Sequence, residues 1–420
     1  MSYKFSEYNI VSKKNGVWYV ANTLSGALIR LDEQMYHNLI NHNMDGLEIP
    51  ERNILIQSGI LVDTVINEKN LLRAAYIAYC RSRKSATVII CPTMECNFAC
   101  PYCFEERQSG AMSEDVGNGV VDHIKKLLMS GYKALNVEWF GGEPLLYPNI
   151  IAELSQKIIK LSDDYHAKCE FAITTNGYCV NENILAIFKK IHLVEARITL
   201  DGGKETHDRR RVLRNGKETF DQIVFNIRSI AAQGIRVKVR VNIDKQNPDA
   251  FLKVKDVLGE IENVSIYPAN VVEEPTQDDI QRAKCYSINE FDEFHKSMYH
   301  QYGFKPTYEG LFKKGISCCM AEHEGSCIID HKGYIYKCVN DVGHSEWAIG
   351  NVLDKYEQRN PKVISKYLGR DPISEVVCSS CKFLPLCYGG CVYELERRKL
   401  HNCARVRYLF EDIVAEKLGV

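Results

Sequence analysis

The 420-residue sequence has no long apolar run. Its longest stretches, such as ATVIIC at 86–91, fall far short of the roughly 20 residues that a membrane-spanning helix needs. Its first ten residues, MSYKFSEYNI, lack the apolar centre of an export signal. The expectation is a cytoplasmic protein with no membrane partner. It has no surplus of either charge: 53 basic residues face 54 acidic ones, for a formal net charge of -1. That balance offers no electrostatic attraction to nucleic acid. It has no internal repeat and no low-complexity tract. What it has in excess is cysteine, 17 in all. In a chain without an export signal these are not expected to form disulfides, because cytosolic thiols are kept reduced. They gather at 96–103 and 318–403, which points to metal or iron–sulfur ligation. The scattered Cys80, Cys169, Cys179 and Cys285 read as small buried apolar groups.

Three blocks follow from the patterning. Residues 1–75 form a small β-then-α unit of winged-helix flavour. YNIV (8–11), the pair Asn15-Gly16 and VWYV (17–20) read as a hairpin. ALIRL (27–31) adds a strand, Asp32 caps a helix over 33–41, and Pro50 opens a second helix over 51–58 that Gly59 ends. ILV (60–62) returns as a strand, and a helical linker covers about 68–80. In the second block, 76–309, strands alternate with helices. Strands are expected at 86–91, 135–140, 169–174, 195–200, 236–243 and 263–267. In 114–130 the apolar positions Val116, Val120, Val121, Ile124, Leu127 and Leu128 share one helical face. Six β/α units imply an α/β fold with a parallel sheet, doubly wound or barrel-like. The third block, 310–420, is cysteine-rich and weakly patterned.

In either sheet arrangement, functional groups collect beyond the carboxyl ends of the strands. CNFACPYCF (96–104) follows the first strand and Gly141-Gly142-Glu143-Pro144 the second. Thr174-Thr175-Asn176-Gly177 follows the third, and Asp201-Gly202-Gly203 the fourth. Cys96, Cys100 and Cys103 have no fourth cysteine nearby. Three thiolates hold three corners of a four-iron cluster and leave one iron open. An amino acid's amino and carboxylate groups could fill it. A catalytic zinc with an open position is the rival reading of the same three ligands.

The C-x3-C-x2-C loop, with Tyr102 before its last cysteine, resembles that of the radical S-adenosylmethionine (SAM) superfamily. The resemblance covers about 86–300 and implies a partial (β/α)6 TIM-like barrel. It implies a [4Fe-4S] cluster on Cys96, Cys100 and Cys103, with SAM on the open iron. Reductive cleavage of SAM then gives a 5′-deoxyadenosyl radical that abstracts hydrogen. Electrons would come from a donor such as flavodoxin or ferredoxin. Gly141, Gly142, Glu143 and Pro144 match the family's GGEP loop, whose Glu143 would accept from the SAM amino group. Asn176 would meet the ribose hydroxyls. Asp201 opens a stretch, DGGKETHDRRR, in which Arg211 would fork the SAM carboxylate. Tyr102 and Tyr267 would contact adenine. Read without the family, Gly-Gly-Glu-Pro is also a tight turn, Asp201 and Arg211 an ion pair, Asn176 a cap, and Tyr267 a core residue.

The C-terminal cysteines resemble the SPASM extension of radical SAM enzymes at seven positions. That implies two auxiliary [4Fe-4S] clusters, three clusters in total. Cys319, Cys338 and Cys391 would hold the first, and Cys378, Cys381, Cys387 and Cys403 the second. The first set is one ligand short, because the position where some relatives carry another cysteine is Lys313. Cys318 is too close in sequence to Cys319 for easy joint ligation. Zinc is again the alternative.

SPASM proteins mostly modify peptides. The segment YVANTLSGALIRLD in 1–75 is similar to the precursor-recognition domain of peptide maturases, which would bind a leader peptide as an added strand. IIDHKGYIYKC (328–338) resembles the sactipeptide and ranthipeptide maturases, which join a Cys sulfur to a carbon. The expected product is a thioether to an acidic residue in a ribosomal precursor peptide. Sulfatase-type maturation is the rival, but there an aspartate follows the cysteine matched by Cys338, and here Val339 does. Epimerisation and carbon–carbon crosslinking would use the same parts. A non-catalytic zinc or iron–sulfur scaffold that binds peptides is the alternative of another class.

Overall fold

The computed structural model describes residues 2–271, 284–302, 318–354, 360–401, 403 and 406–420. Lys313 lies outside them. The chain divides into two compact units that interleave in sequence. One is Met1–Arg81 with Ile288–Cys319 and Leu368–Val420; the other is Ser82–Ser287 with Met320–Tyr367.

The first unit begins with β1 (Tyr3–Phe5), β2 (Asn9–Lys14), β3 (Val17–Asn22) and β4 (Leu28–Leu31), followed by α1 (Glu33–Ile40), α2 (Ile49–Gln57), β5 (Leu61–Asp63) and α3 (Glu68–Cys80). The hairpin of β2 and β3 closes on Asn15 and Gly16, both with positive φ. These are the backbone angles that the twist-matched two-residue turn demands. Asp32 caps α1, its carboxylate accepting from the Met35 N–H at 2.7 Å. Glu48 and Glu51 cap α2 reciprocally, so this helix starts ahead of the expected residue 51. β5 pairs antiparallel with β1 and not with the β2–β3–β4 sheet. One face of that sheet, with Val20 and Leu31, packs on Leu39, Leu55 and Ile60. The other face, with Tyr19 and Ala21, packs on Leu409, Phe410 and Val414 of the helix Val406–Leu418. Burying each such side chain stabilises by about 1.5–3 kcal/mol. With both faces covered, only the sheet's edges are left for another strand.

The second unit runs β6 (Ala86–Ile90), α4 (Glu114–Met129), β7 (Ala134–Trp139), α5 (Pro148–Asp164), β8 (Lys168–Thr175), α6 (Glu182–Lys190), β9 (Leu193–Thr199), α7 (Lys204–Arg210), α8 (Phe220–Ala231), β10 (Arg236–Ile243), α9 (Ala250–Leu258) and β11 (Val264–Asn270). These six strands are parallel and stand side by side in chain order. A doubly wound sheet would reverse direction midway. Continuous order in one direction is the winding of a barrel, here a partial (β/α)6 barrel. On α4, Val116, Val120, Ile124 and Leu128 are buried, while Val121 and Leu127 are half-buried at the margin.

Strand alternation divides the sheet into two chemistries. Val137, Trp139, Phe171, Ile173, Ala196, Ile198, Val237 and Val239 are fully or almost fully buried against the helices. The opposite, inner face carries Glu138, Thr174, Glu195, Arg197 and Lys238. Arg197 pairs with Glu138 at 2.6 Å and Glu195 at 2.8 Å, and Lys238 with Glu195 at 2.9 Å. A closed TIM barrel packs its interior with branched apolar chains; this inner wall is polar and suits a wet cavity.

The sheet then gains strands from late in the chain. β12 (Cys327–Ile329) pairs parallel with β6, and β13 (Tyr334–Tyr336) and β14 (Gly350–Asn351) continue outward antiparallel. Among the described residues the sheet has nine strands. Residues 320–367, patterned in sequence as part of the cysteine-rich block, thus cluster with the barrel.

Candidate functional site

The loop after β6 carries Cys96, Cys100 and Cys103, all half-buried and free of disulfides. Its course is fixed by the loop after β7. Gly142 N–H donates to Thr93 O at 3.2 Å, and Glu143 N–H to Glu95 O at 2.7 Å. A Cβ on Gly141 would stand 2.3 Å from Thr93 O, and one on Gly142 2.2 Å from Glu95 O. Gly141 also has φ +102°, which L side chains avoid. The two glycines are therefore required by the close approach of the cysteine loop's own backbone.

Glu143 is fully buried. Its Oε1 accepts from the Leu145 N–H at 2.9 Å and the Thr175 hydroxyl at 2.7 Å, and its Oε2 from the Asn176 N–H at 2.7 Å. This carboxylate thus ties the loops after β7 and β8 together. Burial pushes its carboxyl above the usual range, against the pull of those three donors. Pro144 is buried and opens a single 3-10 turn. The Asn176 side chain turns to the cysteine loop, donating to Asn97 Oδ1 at 2.7 Å, while its own Oδ1 accepts from the Tyr178 N–H at 2.9 Å. Asn97 in turn donates to Cys179 Sγ at 3.5 Å. The structure thus brings Cys96, Asn97, Glu143, Asn176 and Cys179 into one network. Sequence reasoning missed Asn97 and Cys179; an asparagine directly after the first cysteine was the available signal.

A second network lies beyond β9 and β10. Asp201 is fully buried. Its Oδ2 accepts from the Tyr102 hydroxyl in a short bond and from Arg210 Nε at 3.0 Å. Arg210 Nη1 also donates to Asp244 at 2.8 Å. Arg211 Nη1 donates to the Tyr102 hydroxyl at 3.0 Å, and Asn242 Nδ2 to the same oxygen at 3.3 Å. The Tyr102 hydroxyl is thereby anchored. Arg210, Asn242 and Asp244 were not foreseen. Tyr267 is half-buried on β11.

Burial pushes the Cys96 thiol up to about 12, with Glu143 adding to the effect, and the Cys103 thiol up to about 11, with Glu105 beside it. Cys100 is pushed up by burial as well, with Arg211 pulling the other way. Such thiols give up protons at neutral pH only to a metal. Burial opposes the charge of Arg211, but Cys100, Tyr102 and Asp201 hold it protonated. Three polar atoms here are buried without a partner among the described residues: Asp201 Oδ1, Arg210 Nη2 and Arg211 Nε. One acceptor and two cationic donors fit the amino-acid end of a bound molecule, and three clustered thiols fit an iron–sulfur cluster. Beside Cys96 a cavity of about 520 Å³ opens, lined also by Glu95, Asn97, Arg107 and Arg214.

In the first unit, Cys378 is buried and Cys381 and Cys387 are half-buried; the first two precede the short helical turn Leu384–Cys387, which Cys387 ends. Cys403 is half-buried, with Arg407 Nη1 at 4.0 Å from its sulfur. Cys319 and Cys391 are exposed residues of this same unit, whereas Cys338 is half-buried in the other, just beyond β13.

Residues 90–258 match the model of the radical SAM superfamily. The Cysteine-type anaerobic sulfatase-maturating enzyme of Clostridium novyi (strain NT) is 25% identical over 346 residues, 73% of this chain and 88% of that protein. Among solved structures, native anSMEcpe with bound AdoMet and Cp18Cys peptide aligns at a TM-score of 0.59 with 17% identity, covering 80% of this chain and 100% of that one. Streptococcus suis SuiB bound to precursor peptide SuiA aligns at 0.52 with 16% identity, covering 96% and 99%. The matched segment is a radical SAM domain that includes Cys96, Cys100, Cys103, Glu143, Asn176, Asp201 and Arg211, and such a domain implies SAM and a [4Fe-4S] cluster. No helix among the described residues is long and apolar enough to cross a membrane.

Proposed function

We propose that this radical SAM enzyme installs thioether links, from a Cys sulfur to the carbon of an acidic residue, in a ribosomally made precursor peptide. The observation that carries the proposal is the braced three-cysteine loop facing buried, unpartnered Asp201, Arg210 and Arg211 atoms. Cys96, Cys100 and Cys103 would hold the cluster. Arg211 and Asp201 would orient the carboxylate and amino group of SAM, with Tyr102 and Asn176 fixing the walls around them. SAM bound there supplies a carbon radical that removes hydrogen from an unactivated carbon. The polar inner wall of the barrel would receive peptide backbone and acidic side chains, its Arg197 and Lys238 already engaging carboxylates in the chain itself. Cys378, Cys381, Cys387 and Cys403 would hold an auxiliary [4Fe-4S] cluster that accepts the electron released when sulfur bonds to carbon. A flavodoxin or ferredoxin would supply electrons. The unit containing residues 1–75 would take the leader peptide as an added strand at an edge of its β2–β3–β4 sheet. Two of the similar structures hold a bound peptide, which supports a peptide partner.

Mass spectrometry of a Cys- and Asp/Glu-containing precursor peptide after anaerobic reaction tests this reading. The expected product has lost two hydrogens per link and kept its sulfur. A second reading follows from the sulfatase-maturating relative: oxidation of a cysteine side chain, in which the peptide loses sulfur. Against it, Val339 follows Cys338 and packs as an apolar residue beside Met94 and Tyr336. An unchanged peptide mass would point to epimerisation and reject both.

A further inference from the structure

Within the first unit, the Cys378 sulfur has two polar neighbours besides the other cysteines. His401 Nε2 stands 3.3 Å from it and Glu375 Oε2 3.7 Å from it. The three side-chain atoms lie within 4.8 Å of one another. We propose that His401 is a positioning residue for the auxiliary cluster, donating its Nε2–H to the Cys378 sulfur and raising the potential at which that cluster accepts an electron. The inference rests on the reading that Cys378, Cys381, Cys387 and Cys403 hold such a cluster.

A cysteine bound to iron is a thiolate and can only accept. A neighbouring imidazole at hydrogen-bond distance must then be the donor, which fixes its tautomer with the proton on Nε2. An N–H···S bond draws charge from the sulfur and favours the reduced, more negative cluster. Glu375 would act in the opposite sense if its charge were bare. It is not bare: Arg370, whose side chain is only 5% exposed, grips it through Nε at 2.7 Å and Nη2 at 3.3 Å. Arg370 also donates to Gly389 O at 2.7 Å and Gly390 O at 3.2 Å, so it holds the turn after Cys387 in the same grip. With that carboxylate paired to Arg370, His401 remains the side chain placed to donate a direct hydrogen bond to the Cys378 sulfur. Burial of Cys378, 4% exposed, strengthens the effect because little water competes. Nothing in the seven-cysteine pattern points to this histidine; it precedes Cys403 by two residues and is easily read as a loop residue.

The test uses the full chain with Cys96, Cys100 and Cys103 replaced by alanine, so that only the C-terminal centres bind iron. After anaerobic reconstitution, iron and sulfide are counted and a redox titration is followed by electron paramagnetic resonance. In this background His401→Leu is expected to keep the parent's iron and sulfide and to shift one midpoint potential to a more negative value. His401→Gln keeps an N–H donor and is expected to move that midpoint back toward the parent. An unaltered midpoint in the leucine variant overturns the proposal. Loss of iron in both variants also overturns it, because it makes His401 a ligand. If Cys378→Ala and Cys381→Ala leave the iron content at the parent's level, the cluster reading itself fails, a result distinct from either outcome at His401.

Discussion

The two cysteine groups are braced by opposite means. Around Cys96–Cys103 the brace is backbone against backbone: Gly141 and Gly142 leave no room for even a methyl group against Thr93 and Glu95. Around Cys378–Cys387 the brace is a side chain, Arg370, which reaches a carboxylate and two carbonyls. A steric brace tolerates nothing and fixes position sharply. A charged brace bends, and its strength depends on its surroundings. The first suits a site where a reacting molecule must be placed to a fraction of an ångström. The second suits a centre that only passes electrons, where position matters less than potential.

This contrast breaks or survives on four substitutions or conditions. Gly142→Ala is expected to have the largest effect. Its new Cβ meets backbone, which cannot rotate away, so the cost should reach or pass the upper end of the about 1–3 kcal/mol typical of overpacking. Iron at the first site and 5′-deoxyadenosine formation should fall to background, with iron at the C-terminal set retained; normal deoxyadenosine yield would refute the steric brace. Arg211→Leu comes next. It leaves the Tyr102 hydroxyl with Asp201 and Asn242 but removes the cation facing the open position. SAM binding, read by the change it causes in the cluster's paramagnetic spectrum, should weaken by about tenfold or more, as loss of a charge-assisted hydrogen bond implies. Unchanged affinity would remove Arg211 from the site.

Arg370→Leu should be milder. It frees Glu375 and the carbonyls of Gly389 and Gly390, so C-terminal iron content should drop in part while deoxyadenosine formation persists. Complete loss of both would mean that the two braces do not differ as described. The smallest effect is a pH dependence. His207 is fully buried, its Nδ1 accepting from the Asp201 N–H at 3.3 Å and its Nε2 meeting the Thr219 hydroxyl at 3.1 Å. Burial, and then Arg211, lower its pKa to about 4. The unfolded chain therefore binds this proton first as pH falls. The contribution is fully present above about pH 6.5 and is lost as pH falls toward and through about 4. His207→Gln should flatten that part of the apoprotein's denaturant-midpoint profile; an unaltered slope would show that His207 does not carry it.

Local chemistry was legible in the sequence, and long-range pairing was not. Asn15-Gly16, Asp32 and the Gly-Gly-Glu-Pro loop act within a few residues, so their roles can be read in place. β1 escaped notice because three residues show no periodicity and its partner, β5, lies more than fifty residues away. The junction of β12 with β6 escaped for the same reason. Among site residues, the cysteines stood out by spacing, whereas Arg210 ends α7, Asn242 lies on β10 and Asp244 just beyond it, and they meet only once the barrel is wound. The glycines after β7 show a subtler limit. Their place in the Gly-Gly-Glu-Pro loop was legible beforehand, but what presses against them, the chain's own Thr93–Glu95 backbone, was not.

The pairing of β6 with residues 327–329 has a consequence for synthesis. Roughly three-quarters of the chain must leave the ribosome before Val88, Ile89 and Ile90 acquire their outer neighbour. Until then a growing polypeptide carries an uncovered, oily ribbon directly ahead of Cys96, Cys100 and Cys103, and a chaperone or rapid completion would have to shield it.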